Sequence, residues 1–385
     1  MSETLTVLDA DAVRRALSVR DLTDPAQGPH AMQRLLADTE AALRASCCGT
    51  RVERRTPIVS VADNYDRLHY PPDGAARAAR YTRYVCESAL LRTQTSAMIP
   101  PLLRQHARTP CDDLVLICPG LVYRRDSIDR LHTSEPHQMD VWRISRKARL
   151  GVSDLQQWIA FLLATLLPGR EYRSVPAEHP YTSCGLQIDV REGDAWIEVA
   201  ECGLASTALL TESGLDAARY SGLALGIGLD RVVMLRKQLD DVRLLRASDP
   251  RIATQMLDLT AYRPVSTMPP VRRDLSVVVA DDVGEEALGD AVRCALGEQA
   301  EVIESVEVIA ETTYLQLPSS AQTRLGIRPE QKNALVRVTL RALHRTLTHQ
   351  ECNVLRDAIY AAVHQGSRWE WACSIPGGSG GRHGR

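Results

Sequence analysis

One segment constrains the fold more than any other: GLVYRRDSIDRLHTSEPHQMD, Gly120–Asp140. It reads as a strand, a loop and a return strand, so the two strands pair antiparallel. The continuous apolar run Leu114–Cys118 leads into it and is closed by Pro119 and Gly120. A second segment, GLALGIGLDRVVML (Gly222–Leu235), passes from a strand over Ser221–Ile227 straight into a helix over Leu229–Leu239. Pro57–Val61 and Trp196–Val199 read as further strands, and Trp158–Leu167 as an apolar helix stopped by Pro168 and Gly169. An antiparallel sheet with helices set between its strands places the chain in the α+β class.

Proline and glycine divide the rest. Asp9 and Asp11 cap a helix carrying Val13, Leu17 and Val19, which Pro25, Gly28 and Pro29 end. Met32, Leu35, Leu36 and Leu43 then fall on helical spacing. These form an N-terminal helical segment, residues 1–50, ahead of a larger domain at 51–261. Pro264, Pro269 and Pro270 mark the next boundary. Residues 262–373 read as a strand (Leu275–Ala280), a helix bearing Leu288, Val292 and Leu296, and strands at Val302–Ile309 and Leu335–Leu340. A helix opened by the capping box Thr348-x-x-Glu351 and a last strand over Ser367–Ala372 complete the order β-α-β-β-α-β, the ferredoxin-like plan. The tail, 374–385, is Gly- and Ser-rich and is expected to be disordered.

Composition excludes several classes. No apolar run approaches the roughly eighteen residues a membrane helix needs. Met1–Asp11 is polar and acidic, unlike a signal peptide, so the expectation is a cytoplasmic protein. The 10 cysteines show no CxxC pair and no Cys/His cluster, so no structural metal is expected. The net charge is −2, and residues 262–371 carry 12 Lys and Arg against 15 Asp and Glu. Any RNA contact must therefore come from local patches, Arg272 and Arg273 among them.

The hairpin carries the chemistry. An arginine at a strand end can fork onto two phosphate oxygens, which suits Arg124 to holding an α-phosphate while a carboxylate attacks it in line. Asp126 can accept from an adenine amino group, and His132 in the loop can reach outer phosphates. In the second segment Gly226 and Gly228 let a nucleotide approach the backbone closely. Arg231 follows in the first helical turn, where its charge and the helix N-terminus act together on phosphates. Glu198 is a candidate magnesium ligand working through those phosphates. The reading is ATP-dependent activation of an amino acid, with ATP and Mg2+ as cofactors.

The first segment resembles motif 2 of class II aminoacyl-tRNA synthetases, and in detail the phenylalanyl branch, VYRRDxID…H…FHQxE. Gly222–Leu235 is similar to motif 3. Further matches are PIVSVADNYDRLHYPPDGAARAARY with LLRTQTSA (Leu90–Ala97), SVPAEHPYTSCGLQIDV (Ser174–Val190), and STMPPVRRDLSVVV with TLTHQECN. Together they cover most of Pro57–Trp371 and resemble the single-chain organellar form of the phenylalanyl-tRNA synthetase family. The resemblance implies an antiparallel-sheet catalytic domain with flanking helices, plus a C-terminal ferredoxin-fold anticodon-binding domain. It implies an amino acid and tRNA as partners, no membrane, and a monomer or a homodimer. Gln94, Ser96, Gln138, Asp140, His179, Tyr181 and Ala224 would line the amino-acid site, and Pro136 would border the adenine.

The chain departs from the family at that site. His179, Pro180 and Tyr181 stand where the family has two phenylalanines around a proline. Gln94 replaces a histidine, Pro136 the adenine-stacking phenylalanine, Asp140 a glutamate, and Glu201-Cys202-Gly203 a Gly-Cys-Gly turn. The whole chain has one phenylalanine, Phe161. Three readings stay open on sequence: a phenylalanyl-type tRNA synthetase; a paralogue activating a different aromatic or polar, possibly modified, amino acid for a biosynthetic pathway or non-standard acceptor; and a non-catalytic binding module.

Overall fold

The computed structural model describes residues 6–47, 49–77, 81–124, 129–265, 268–343 and 345–369. The chain forms two compact units, Met1–Arg125 with Thr133–Arg263, and Asp126–His132 with Pro264–Arg385.

The first unit holds strands β1 (Thr50–Val52), β2 (Ile58–Ser60), β3 (Tyr84–Cys86), β4 (Ala89–Leu91), β5 (Asp113–Leu121), β6 (His137–Ser145), β7 (Tyr172–Pro176), β8 (Thr182–Glu192), β9 (Ala195–Ala205) and β10 (Ser221–Gly228). Among the described residues, a 7-stranded sheet runs β1-β5-β6-β10-β9-β8-β7, antiparallel but for the β1–β5 pair, and β2, β4 and β3 form a small separate sheet. The hairpin read from Gly120–Asp140 is β5–β6, with Cys118 opposite Asp140 and Gly120 opposite Gln138.

Strand β10 shows why the sheet has one packed face and one open face. Its residues alternate: Gly222, Ala224, Gly226 and Gly228 point one way, Leu223, Leu225 and Ile227 the other. The large residues are 0–3% exposed. Leu225 and Ile227 meet Ile159, Leu162, Leu163 and Leu166 of the helix Val152–Leu166, together with Ile188 and Ala200. Full burial of each such side chain stabilises by about 1.5–3 kcal/mol. The small residues leave their face without bulk. One end of it is covered: Leu116, Trp142 and Ala224 pack with Met98, Leu102 and Leu103 of the segment that opens the helix Ile99–Arg108.

A register defect changes which carboxylates reach the open face. The β8–β9 ladder passes from Ile188↔Ala200 to Asp189↔Glu198, so Val199 is an extra residue in β9. A one-residue bulge reverses the alternation beyond it. Glu198 and Glu201, three residues apart, thus emerge on the same face, where unbroken pleating would oppose them. A second defect, between Ser183 and Leu186, contains Cys184 at φ +52°. It breaks the alternation of β8, which sequence periodicity did not mark as a strand; β7 is nearly all exposed and carries no apolar alternation either.

The second unit holds β11 (Val271–Ala280), β12 (Ile303–Thr313) and β13 (Gln331–Leu340) in the order β11-β13-β12. Both neighbours are antiparallel to β13, so β11 and β12 are parallel and joined through the helix Glu285–Leu296: a split βαβ unit. Val277, Val279, Leu288, Val292, Val336 and Ile359 are core residues here. The capping box forms as read, with Thr348 Oγ1 accepting from the Glu351 N–H (3.2 Å) and Glu351 Oε2 from the Thr348 N–H (2.8 Å). The last expected strand differs. Ser367–Trp369 is not strand, and 370–372 lie outside the described residues, as does the tail. Instead the turn after the helix His349–Val363 serves the edge of β11: the Gln365 N–H donates to Val278 O (2.7 Å) and His364 Nδ1 accepts from the Val278 N–H (3.1 Å).

Candidate active site

The open face of β6, β10 and β9 forms the floor. One row crosses it: Asp140, Gly226 and Glu201 are direct cross-strand neighbours. A Cβ on Gly226 would lie 3.8 Å from Asp140 Oδ1 and 4.0 Å from Glu201 O, ordinary contacts, so glycine here leaves space rather than avoiding a clash. Gln138 faces Gly228 in the next row, and Trp142 faces Ala224 in the row behind.

Two arginines flank this floor. Arg124 leaves the end of β5, its N–H donating to Ser134 O (2.9 Å) and its Nε–H to Thr93 O (2.7 Å). Arg231 sits in the first turn of the helix Leu229–Lys237, which starts from Gly228. Its Nη1 donates to Glu198 O (3.1 Å) and lies 3.7 Å from Glu198 Oε2. Burial pushes the Glu198 carboxyl up, against the opposing pull of Arg231 and Arg124. Asp126 lies outside the described residues. His132 belongs to the second unit, where its Nδ1 is 2.7 Å from Asp129 Oδ2. Pro136 is half-buried and its carbonyl accepts the Val122 N–H (2.9 Å).

The amino-acid end holds more internal bonds than its sequence suggests. Asp140 is 2% exposed and accepts three bonds, from Thr95 Oγ1 (2.6 Å), Ser96 Oγ (2.8 Å) and Trp142 Nε1 (2.9 Å). Burial raises its pKa despite these donors. Ser96 thereby gives its proton to Asp140 and keeps its oxygen as an acceptor. Gln94 is held in place: its Oε1 accepts from Tyr70 Oη (2.8 Å) and its Nε2 donates to Asn64 O (3.0 Å). Gln138 Oε1 accepts the Thr95 N–H at 3.4 Å. Tyr181 stacks on Trp142 (centroids 6.0 Å, 24°), with its hydroxyl 3.5 Å from Ser96 Oγ. His179 Nε2 lies 3.3 Å from Glu201 Oε1. That contact holds the Glu201 carboxyl below its usual range, with burial opposing and Arg124 assisting.

Sequence reasoning missed a set of buried polar residues behind the floor. His137 is 0% exposed, and its Nε2 accepts from the Leu22 N–H (3.0 Å) and faces Arg246 Nη2 (3.2 Å). Arg92 is 2% exposed and donates to Leu121 O (2.7 Å) and Arg55 O (3.2 Å). Their only sequence signal was adjacency to residues already singled out. Among the described residues no group of three or more His, Cys, Asp or Glu could hold a metal, and no helix is long and apolar enough to cross a membrane.

Residues 23–256 match the family described as tRNA synthetases class II core domain (F). The chain is 29% identical over 330 residues to a chloroplastic/mitochondrial phenylalanine–tRNA ligase of Arabidopsis thaliana, covering 82% of this chain and 71% of that protein. It is 34% identical over 207 residues to a phenylalanine–tRNA ligase alpha subunit of Prochlorococcus marinus, covering 54% of this chain and 60% of that subunit. An alpha subunit from another strain of that species is 33% identical over 260 residues, covering 66% and 76%. With the motif 2 hairpin and the motif 3 strand–helix side by side in one antiparallel sheet, and a match spanning more than half its length, the chain belongs to the class II tRNA synthetase core family.

Proposed function

We propose that the chain condenses phenylalanine with ATP to the aminoacyl-adenylate and transfers the aminoacyl group to the 3′ end of a tRNA. The observation that carries this is Arg124 at the end of β5 and Arg231 at the start of the helix after β10, beside a strand end whose exposed positions, Gly226 and Gly228, have no side chains, with Arg231 bonded to Glu198. An arginine at each flank and bare backbone between them suit a flat nucleotide with a charged end. The names of the relatives support the ligase reading and phenylalanine as the substrate.

The amino-acid carboxylate attacks the α-phosphorus, an oxygen–phosphorus bond forms as pyrophosphate leaves, and no protein nucleophile takes part. Arg124, steadied at its Nε by Thr93 O, lies where charge builds on the α-phosphate oxygens. Arg231, fixed against Glu198, takes the outer phosphates. Glu198 is the residue that would hold a magnesium ion, which would supply neutralisation of phosphate charge. Catalysis is positioning plus electrostatics.

The second unit is the proposed anticodon contact, through Arg272 and Arg273 on β11 rather than through overall charge. The chain is read as a monomer or a homodimer. Pyrophosphate exchange across the amino acids, then charging of a tRNA pool by the isolated chain, tests the reading. Phenylalanine-dependent exchange and charged tRNA are expected. No charged tRNA with any amino acid would overturn it.

A further inference from the structure

We propose that Glu201, not Asp140, is the carboxylate that receives the α-ammonium group of the amino-acid substrate. The inference rests on the amino-acid activation reading above. Both carboxylates share one cross-strand row, with side-chain-free Gly226 between them. A ligand lying over Gly226 meets either one at nearly the same place along the sheet.

Their surroundings differ. Asp140 is 2% exposed, and both of its oxygens accept from Thr95, Ser96 and Trp142. It serves as a brace that ties the Thr95–Met98 turn to β6. Its Oδ2 takes two of those bonds and its Oδ1 one, so an ammonium group would find a single acceptor position left, on a buried carboxylate. The Glu201 side chain is 48% exposed, and its Oε1 faces His179 Nε2 at 3.3 Å. The His179 side chain is 9% exposed and has Thr182 Oγ1 3.5 Å from its Nδ1, so the imidazole orients the carboxylate from behind. The local backbone is shaped for this contact. A Cβ on Gly185 would meet Ala177 O at 2.3 Å and His179 Nδ1 at 3.1 Å, so the β8 bulge exists in a form that admits the His179 loop. The result is an ionised, oriented, reachable carboxylate at the edge of an otherwise bare floor. An ammonium needs such a partner, because a charge-assisted bond is worth more than a neutral one and an unpaired cation in a closing site is costly.

The test uses the full chain and Glu201→Gln, with pyrophosphate exchange on L-phenylalanine and on L-3-phenyllactate, which replaces the ammonium by a hydroxyl. For Glu201→Gln, kcat/KM for phenylalanine should fall roughly 10- to 100-fold, the span of one charge-assisted contact, while phenyllactate changes less than about threefold. KM for ATP should stay within about threefold. Equal losses on both substrates would overturn the proposal. So would a loss seen only as weaker discrimination between phenylalanine and 4-aminophenylalanine or tyrosine, which would make Glu201 a reader of the ring. Asp140→Asn should lower Tm and both activities alike; if it alone collapsed the phenylalanine–phenyllactate preference, Asp140 would be the contact. Absence of exchange in the wild-type chain would sink the functional reading separately. Calorimetric titration of the two ligands into wild type and Glu201→Gln then decides the contact, and an unchanged preference overturns it.

Discussion

His137 meets the Asp230 carboxylate twice, through its main-chain N–H and through Nδ1, which lies 3.1 Å from Asp230 Oδ1. His137 precedes Gln138 in β6, and Asp230 precedes Arg231 in the helix that follows β10. The pair therefore fastens the return strand of the hairpin to the helix that carries the second arginine. Both residues are buried, at 0% and 5% exposure. The Asp230 carboxyl titrates below its ordinary value: burial opposes this, and the histidine contacts prevail.

Replacing Asp230 by Ala leaves a buried N–H and imidazole without their acceptor. The expected cost is about 3 kcal/mol of stability, on the scale of breaking a buried charged pair. Asp230→Asn offers one acceptor where two are needed, so it should restore only part. In pyrophosphate exchange the Asn variant should raise KM for ATP by roughly tenfold with a smaller change in kcat, because Arg231 loses its anchor. An ATP KM equal to wild type would contradict the tether.

Arg124→Ala should reduce pyrophosphate exchange by roughly 10²–10³-fold, as for loss of one preorganised donor to a developing charge. Arg124→Lys should not rescue it. The Nε–H that bonds Thr93 O at 2.7 Å has no lysine equivalent, and an ammonium cannot fork onto two oxygens. Single-turnover adenylate formation is the measurement.

Two glycines should respond in opposite ways. At Gly226 an added Cβ meets nothing nearer than 3.8 Å, so Gly226→Ala should fold with little change in Tm yet lose activity, because the methyl stands on the floor. At Gly120, φ is +153° and the Cβ would come within 2.1 Å of Arg92 Nη2. Arg92 cannot swing away, since it is 2% exposed and bonded to Leu121 O and Arg55 O. Gly120→Ala should cost roughly 2–3 kcal/mol in thermal or urea unfolding.

His30 sets a pH dependence of stability. It is 4% exposed, its Nδ1 accepts the Met32 N–H (3.1 Å), and its Nε2 donates to Leu245 O (3.1 Å). Burial lowers its pKa from 6.5 to about 4. The unfolded chain therefore binds a proton that the folded chain refuses between those values. The contribution is complete above about pH 6.5 and is lost as pH falls toward 4, up to about 3 kcal/mol. Asn at this N-cap keeps the acceptor without titrating, so His30→Asn should show a shallower loss of stability between pH 7 and 4.5.

The sequence made the hairpin, the strand–helix element and the split βαβ order legible, because each has an unbroken period and clear stops. β8 was hidden where the bulge at Cys184 disturbs the alternation, and β7 because it is nearly all exposed. Arg124 and Arg231 were singled out by their motif context, Arg231 also by its spacing after Gly226 and Gly228. Glu201 was visible only as a departure from a pattern, and its meaning needed cross-strand register. Asp140 was read as a ligand contact from the family resemblance, and only three-dimensional packing shows the three donors that brace it. Buried partners such as His137 and Arg92 leave no periodic trace, since their selection acts across more than a hundred positions or through main-chain carbonyls.

The extra residue Val199 also acts as a mechanical insulator. The outer hairpin, where Glu192 pairs with Ala195, is in register with the inner half of β9 only through that single slack position. Insertions or trimming at the hairpin tip can be absorbed there before they rotate Glu201 or Gly203. Removing Val199 would weld the two halves together and leave Glu198 on the open face, two positions from Glu201 in an unbroken pleat. A change of length at the tip of this hairpin thus meets the bulge before it reaches the floor.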